Sequence, residues 1–542
     1  LQRLAFKYIH LENRSMLTMR ENSIFTKLVF GSLFTLVAIT CAIAQSAVDG
    51  AVAGTVVENT GAALPNATVV VHNTETNLEQ EVTADHAGYF HISHLVPGSY
   101  VVTVSAQGFA GYSASHVVVE VGKLTELTPR LQVAGQSTTV NVGSETPILE
   151  TESSDFSTEF NPVALNSLPI NGRHWTSFAL LSPGVTLGNS AFGLVSFRGA
   201  SNLQNNFMVD GSDDNQSFTA EERGNTRVGY STTEEAILEF QVLTSNVPAQ
   251  YGRAEGGGVN AVTRSGSNVF HGDAFEYYRD NDFGATNPFN ILQTIPTIVY
   301  VKPKDKRHQF GGSFSGPVVH DRLFFLYAFD QQRRNFPSLA VPTPQFLAAG
   351  NSAYNNCKVL SGGTTDAITC AESRGVSAAQ VAAAQAYITN QSGIAPRQGN
   401  QGLNFMKLDA KINDRNNLSL IYSRMRWDSV NGIQTNPVNR RGITSFGNDY
   451  VKDDSFIAKL DSAITDRISN EIRVEYARDF DTEDGDTPLS SEPTTTAGGL
   501  PPGVIISPRA CSRYLSASTM RAKLRKPMKS MSSFSKREKI LR

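Results

Sequence analysis

His72-Asn73-Thr74-Glu75 sets an imidazole and a carboxylate at the spacing taken by two zinc ligands. A catalytic zinc needs a third protein ligand and an open coordination position. No later segment reads as a catalytic α/β domain that would supply them. His72 ends a β-prone run and Glu75 falls in the turn after it, so the pair is expected to be surface polar residues. Asp210-Gly211-Ser212-Asp213-Asp214-Asn215 is an oxygen-rich turn, but it lacks the ligand spacing and terminal glutamate of a defined calcium loop. Gly312-Ser313-Phe314-Ser315-Gly316 has phenylalanine where a nucleophile elbow needs serine, and no strand-to-helix context surrounds it. The expectation is therefore no catalytic residue, no metal site and no cofactor site. Cys357 and Cys370 remain: in an oxidising compartment they would form a local disulfide, and otherwise they are two free thiols.

The elements that carry these residues are bounded by composition. The chain has 542 residues, 47 Lys+Arg against 50 Asp+Glu, a net charge of -3 and 4 Cys. A disulfide-stapled scaffold is excluded by the cysteine count. Only one apolar run approaches the ~20 residues that cross a bilayer, which excludes a polytopic helical membrane protein. The overall charge gives no case for a nucleic-acid partner. It hides a shift, however: from Arg509 to Arg542 there are 11 Lys/Arg and one acid, Glu538. Either this tail is a basic arm for an anionic surface or the reading frame changes near Ser507.

At the other end Arg20 and Lys27 precede the apolar run Leu28–Ile39, and Ala42-Ile43-Ala44 follows with the small-x-small pattern of a cleaved export signal. Residues 1–44 are expected to be upstream sequence and signal, with cleavage after Ala44. A membrane anchor is the alternative.

From Gly54 to about Leu131, Val69–Val71, Tyr89–Ile92, Tyr100–Val104 and Val117–Val121 read as strands between turn clusters such as Asn59-Thr60-Gly61 and Pro97-Gly98. Short strands at this spacing predict a sandwich. The runs beginning at Gly54, Thr83 and Leu95, the last containing Pro97-Gly98-Ser99-Tyr100, resemble the carboxypeptidase-regulatory-like domain. The expected bounds are 46–133, with an accessory binding or spacing role.

Next, Thr138-Thr139-Val140-Asn141-Val142 is a β-prone segment near Gly135 and Gly143 that could add as a strand to a partner's sheet. It resembles a degenerate TonB box; an ordinary linker strand is the alternative. Within 134–265 an ordered series follows: Leu168-Pro169-Ile170-Asn171-Gly172-Arg173, Phe197-Arg198-Gly199, Met208-Val209-Asp210-Gly211, Glu234–Val242, Gln250-Tyr251-Gly252-Arg253 and Gly256–Gly266. It resembles the plug domain of TonB-dependent outer-membrane receptors that carry a regulatory-like extension. The resemblance marks Arg198, Gly199, Asp210, Gly211, Tyr251, Gly252 and Arg253 as plug-motif residues. Glu234–Val242 is expected to start as a short helix and turn into a strand.

Over 266–508 we expect seven strands, centred near Phe275, Gly312, Phe325, Leu408, Ile421, Lys459 and Val474. Met406, Leu408, Ala410 and Ile412 alternate with Lys407, Asp409 and Lys411, as in a barrel wall with apolar residues outward. Short turns at His320-Asp321 and Asn413–Asn416 contrast with the long excursion 336–401, in which 377–389 reads as a short helix. The fold class is mainly β: an N-terminal β-sandwich, an α/β plug and a partial antiparallel transmembrane β-barrel. Plugged barrels of this resemblance use about 22 strands, so the chain reads as a truncated, non-transporting form ending in the separate segment 509–542.

The resemblance implies a receptor in the outer membrane that takes a substrate into the periplasm. Its partners would be a TonB-type energy-transducing complex, outer-membrane lipid and an extracellular ligand: a siderophore, an oligosaccharide or a peptide. The alternative is a secreted soluble binding or adhesion protein built on the sandwich.

Overall fold

The computed structural model describes residues from 48 to 487 apart from internal stretches, chiefly 135–138, 144–155, 189–193, 217–222, 224–229, 248–250, 294–297, 342–356 and most of 359–371. The export segment 1–44, the basic tail 509–542, Thr138 and Cys370 lie outside the described residues, so the Cys357–Cys370 pairing does too.

Alternating β-branched residues build the first unit. Strands β1 (Gly50–Thr55), β2 (Thr68–Asn73), β3 (Glu79–Thr83), β4 (Tyr89–Leu95), β5 (Gly98–Ser105), β6 (Gly111–Val119), β7 (Leu124–Leu127) and β8 (Thr139–Gly143) form two sheets. Their orders are β4-β1-β7 and β8-β6-β5-β2-β3. Period-two patterning turns Val69, Val71, Val102, Val104 and Phe90 onto one shared core. The expected sandwich is thus present, with β1, β3 and β7 added to the strands legible in the sequence. His72 lies on β2 and pairs with Glu79 at 3.1 Å.

The second unit has a five-stranded mixed sheet made of β9 (Phe156–Phe160), β10 (Asn205–Val209), β11 (Ser212–Asp213), β12 (Ile237–Ser245) and β13 (Gly257–Thr263), in the order β9-β12-β13-β10-β11. A short helix α1 (Pro162–Ser167) is capped by the Asn161 side chain, which accepts from the Ala164 amide at 3.0 Å. A 3₁₀ turn over Glu234–Ala236 leads into β12, matching the helix-to-strand expectation. Phe160, Trp175, Phe178 and Phe240 fill the core, with Phe160 and Phe240 stacked at 4.8 Å. Gly257 is needed there: a Cβ would stand 2.5 Å from the Phe197 ring and 2.7 Å from the Leu243 carbonyl oxygen.

The third unit is the wall: β14 (His271–Asp280), β15 (Lys306–Val319), β16 (Leu323–Asn335), β17 (Gln398–Asn413), β18 (Asn416–Ser429), β19 (Asn448–Thr465) and β20 (Ile468–Asp484). These seven pair antiparallel in sequence order. Every expected strand centre falls inside one of them. Met406 and Leu408 are exposed while Lys407 is buried against the second unit, as the alternation required. Further along β17 the chemistry of the two faces reverses: Leu403 and Phe405 are buried on the inner side and Asn404 is turned outward. Helix α2 (Ala378–Asn390) lies in the long connection and starts with a capping box between Ser377 and Gln380.

Candidate functional site: the plug-to-wall interface

The second unit rests on the inner face of the wall largely through charge. Arg223 is 6% exposed and reaches four carboxylates. Its Nε lies 3.0 Å from Asp479 and 3.7 Å from Asp453, and its Nη1 lies 3.4 Å from Glu475 and 3.6 Å from Asp214. Asp214 belongs to the second unit and the other three to the wall, so one guanidinium spans both. Burial opposes the charge on Arg223, but the surrounding carboxylates outweigh it and raise the pKa. Burial also pushes Asp214 up to about 7, against the pull of Arg223 and a 2.6 Å hydrogen bond from Ser231.

A second cluster surrounds Arg173. It pairs with Glu234 at 3.5 Å and with Glu235, reaches Asp330 of the wall at 3.9 Å, and stacks 4.0 Å over the Phe275 ring. Burial pushes Glu235 up to about 8 despite Arg173. Tyr230 donates to Asp330 at 2.7 Å and accepts from Gln309 at 2.6 Å. Gln401 of the wall donates to the Tyr230 carbonyl at 2.7 Å.

Asp210 organises a third contact. It accepts from the Thr263 amide at 3.0 Å and from the Thr263 hydroxyl at 2.5 Å, while Lys407 donates to the Thr263 hydroxyl and carbonyl at 3.0 and 3.2 Å. Arg473 donates to the Gly211 carbonyl at 2.7 Å. The carboxylates of the oxygen-rich turn are therefore committed to protein donors. Small apolar contacts accompany the charges, with Ala236 against Leu326, Phe405 and Ile457, and Tyr230 against Leu403 and Trp427.

The motif residues singled out in the sequence fall in three places. Asp210 (φ 48°) and Gly211 (φ 67°) form a left-handed corner directly at the wall. Arg198 (φ 51°) and Gly199 (φ 78°) form a second such corner, exposed and away from the wall contacts. Tyr251 is buried against Met208 and Leu243, Gly252 is exposed, and Arg253 pairs with Asp213 at 3.2 Å. Thr139–Val142 lie on β8, which pairs in parallel with Gly111–Ser115 of the sandwich. Arg173 stood out only as the end of a motif and Arg223 not at all, because their wall partners lie more than 150 residues away along the chain, while Asp214, Glu234 and Glu235 have no distinctive spacing to them.

The sandwich also touches the wall. Lys459 places its ammonium 3.0 Å from Asp49, 3.2 Å from Asp461 and 3.9 Å from Glu471. His94 bridges Asp49 at 3.2 Å and Ser469 at 2.8 Å. Asp49, His94, Asp461 and Glu471 bring their ligand atoms within 4.8 Å of one another, a set able to hold a metal ion, but the Lys459 ammonium already supplies the cation in their midst. A space of about 670 Å³ opens beside it, lined by Asp49, His94, Glu235, Lys407 and Lys459.

This contact should respond to pH. The hydrogen bond to Asp49 raises the His94 pKa above 6.5, so its contribution is complete below 6.5 and is lost as pH climbs through the folded value. Burial disfavours the Asp49 carboxylate, yet Lys459 and His94 outweigh it and hold its pKa below 3.8, so its contribution is complete above 3.8 and is lost on acidification. Protection of the sandwich from protease in the full chain should peak between these two values and fall on the alkaline side. His94→Gln should reduce the alkaline fall. An unchanged profile in that variant would exclude His94 as its source.

Comparison with known proteins agrees with this architecture. Residues 262–535, half of the chain, match the family model described as Outer membrane beta barrel domain. Residues 51–132 match the Carboxypeptidase regulatory-like domain. The TonB-dependent transporter Oar of Myxococcus xanthus is 28% identical over 276 residues, 49% of this chain. The chain spans 25% of the length of that relative. Among solved structures, the outer membrane transporter YddB from Escherichia coli is similar with 13% identity and a TM-score of 0.40, over 64% of this chain and 42% of that chain. The siderophore receptor PirA from Acinetobacter baumannii is similar with 14% identity and a TM-score of 0.37, over 60% and 40%. The wall is that of an outer-membrane protein: the chain belongs to the family of outer membrane β-barrel domains.

Proposed function

We propose that the chain forms part of a receptor for uptake of a substrate across the outer membrane, with no chemistry performed on the substrate. The units are assigned as a regulatory-like sandwich (46–133), a plug (134–265) whose first strand, β8, joins the sandwich sheet, and a barrel wall (266–508). One observation supports this reading above the others: the second unit is held to the wall by hydratable charge clusters around Arg223 and Arg173 rather than by a continuous apolar seam. The desolvation of these buried groups offsets much of their mutual attraction and is regained as hydration once the unit is displaced, which suits a plug that must move to let a substrate pass. The ligand class stays as the resemblance implied, a siderophore, an oligosaccharide or a peptide. The exposed apolar outer face of the wall, including Val474 at 61% and Tyr476 at 61%, does not suit the secreted soluble alternative.

The energising contact is assigned to Thr138–Val142. Its strand β8 ends the five-stranded sheet of the sandwich, so one edge pairs with β6 and the other is the sheet's edge. A strand from a TonB-type partner would add there and extend the sheet, main chain to main chain. Val140→Cys in the full chain, expressed in outer membranes, should form a disulfide-linked adduct with a cysteine placed in the edge-seeking strand of that partner. The same cysteine at Thr103 on β5, which is paired on both sides by β2 and β6, should form none. Equal adducts at both positions, or none at Val140, would exclude β8 as the contact.

A further inference from the structure

The outward face of the wall changes chemistry along each strand. On β18 the outward residues run Leu418, Leu420, Tyr422 and then Arg424 and Arg426; on β20 they run Ile472, Val474, Tyr476 and then Arg478. On β19 the change falls between Phe456 and Asp454. In each case it follows an aromatic residue and lies toward the longer connections. Cross-strand register sets Tyr422, Phe456 and Tyr476 side by side, and two residues further Arg424, Asp454 and Arg478. An aromatic row followed by polar residues marks the edge of an apolar band where hydrocarbon gives way to headgroups.

The polar zone is not balanced internally. Arg426 stands directly opposite Lys452, a like-charge pairing that destabilises a sheet by itself. Asp454 holds Arg426 in two 2.8 Å bonds. Lys452 lies 5.9 Å over the Phe480 ring, and neither it nor Arg424 nor Arg478 forms an ion pair with a carboxylate among the described residues. Arg333, Arg424, Arg426 and Lys452 border an open depression of about 640 Å³, with Asp428 and Asp484 also on its border.

We propose that this depression binds the terminal phosphate monoester of an anionic lipid in the leaflet nearest the longer connections. Arg333, Arg424 and Lys452 take the phosphate oxygens, and the acyl chains lie along Leu420, Tyr422 and Phe456. Clustered guanidinium and ammonium groups at a membrane interface attract phosphorylated headgroups, and the planar guanidinium suits a phosphate in two-pronged contact. The site rests on the wall facing lipid and goes beyond substrate uptake; the plug and its partner play no part in it.

The test uses the purified full chain in detergent micelles doped with phosphatidic acid or phosphatidylcholine, with retained lipid counted by native mass spectrometry. Phosphatidic acid should be retained at least about tenfold over phosphatidylcholine. The double variant Arg424→Gln/Lys452→Gln should lose that preference while keeping its melting temperature with phosphatidylcholine. Asn404→Glu, which adds an acid beside the cluster and removes no cation, should lose it too. Equal retention of the two lipids by the unmodified chain, an unaltered preference in both variants, or displacement by inorganic phosphate at the same concentration as the lipid would overturn the site. Failure to retain either lipid would instead remove the lipid-facing wall on which the site depends.

Discussion

Arg223→Gln is expected to lower the stability of the seated plug by about 3–5 kcal/mol, the usual cost of removing one partner from a buried charge cluster. The wild-type guanidinium lies among Asp214, Asp453, Glu475 and Asp479, all within 3.7 Å. Glutamine is polar but uncharged, so the variant leaves the carboxylates facing one another. Hydrogen exchange on the full chain in detergent should show amides of β10 and β11 losing protection while those of the sandwich strands keep theirs. The acid side of the profile separates electrostatic from packing causes. Burial already lifts Asp214 to about 7, and without Arg223 it rises further. A carboxyl whose folded pKa is raised contributes most below its unfolded value near 3.8 and loses that contribution as pH rises through the folded value. The variant should therefore recover protection as pH falls through about 7 towards the unfolded value. Uniform loss at every pH would point to packing, and no loss at all would remove Arg223 as the clasp.

The contrast between what the sequence displayed and what it concealed has a physical cause. Period-two alternation is local, so the seven wall strands and the outward turn of Met406 and Leu408 could be read from neighbouring residues. The reversal above Phe405 could not, because it depends on what each stretch of wall faces. Leu403 is buried beside Tyr230 of the plug, while Asn404 faces the opposite way. The two left-handed corners at Asp210-Gly211 and Arg198-Gly199 were visible as motifs, but only the fold tells them apart, one meeting Arg473 and the other meeting solvent. Arg223 sits between acidic and glycine residues that read as an ordinary turn. Its role comes from Asp453, Glu475 and Asp479, brought to it by strand pairing across more than two hundred residues. The β8 segment was legible as a strand in search of a sheet, but the sequence did not indicate that its own sandwich pairs with it.

Lys459→Met is the substitution that should release the sandwich from the wall. Lys459 is 7% exposed and its ammonium lies among Asp49, Asp461 and Glu471, so its removal leaves buried negative charge offset only by His94 at Asp49 and by Arg473 at Glu471. The expected cost is again about 3–5 kcal/mol, read as faster proteolysis of the intact chain between sandwich and plug. Methionine keeps most of the volume, so a loss of this size would reflect charge rather than a cavity. The same geometry supplies a rescue. With the ammonium gone, Asp49, His94, Asp461 and Glu471 keep ligand atoms within 4.8 Å of one another around the vacated position. One imidazole and three carboxylates make a donor set that zinc accepts. Added zinc should restore protease resistance to Lys459→Met, should fail to do so when His94→Gln is introduced as well, and should leave the wild type unchanged because its position is already filled. Zinc protection of the wild type would mean that the ammonium does not hold that place. A variant that stays docked without zinc would mean that the sandwich is held to the wall by something other than this cation.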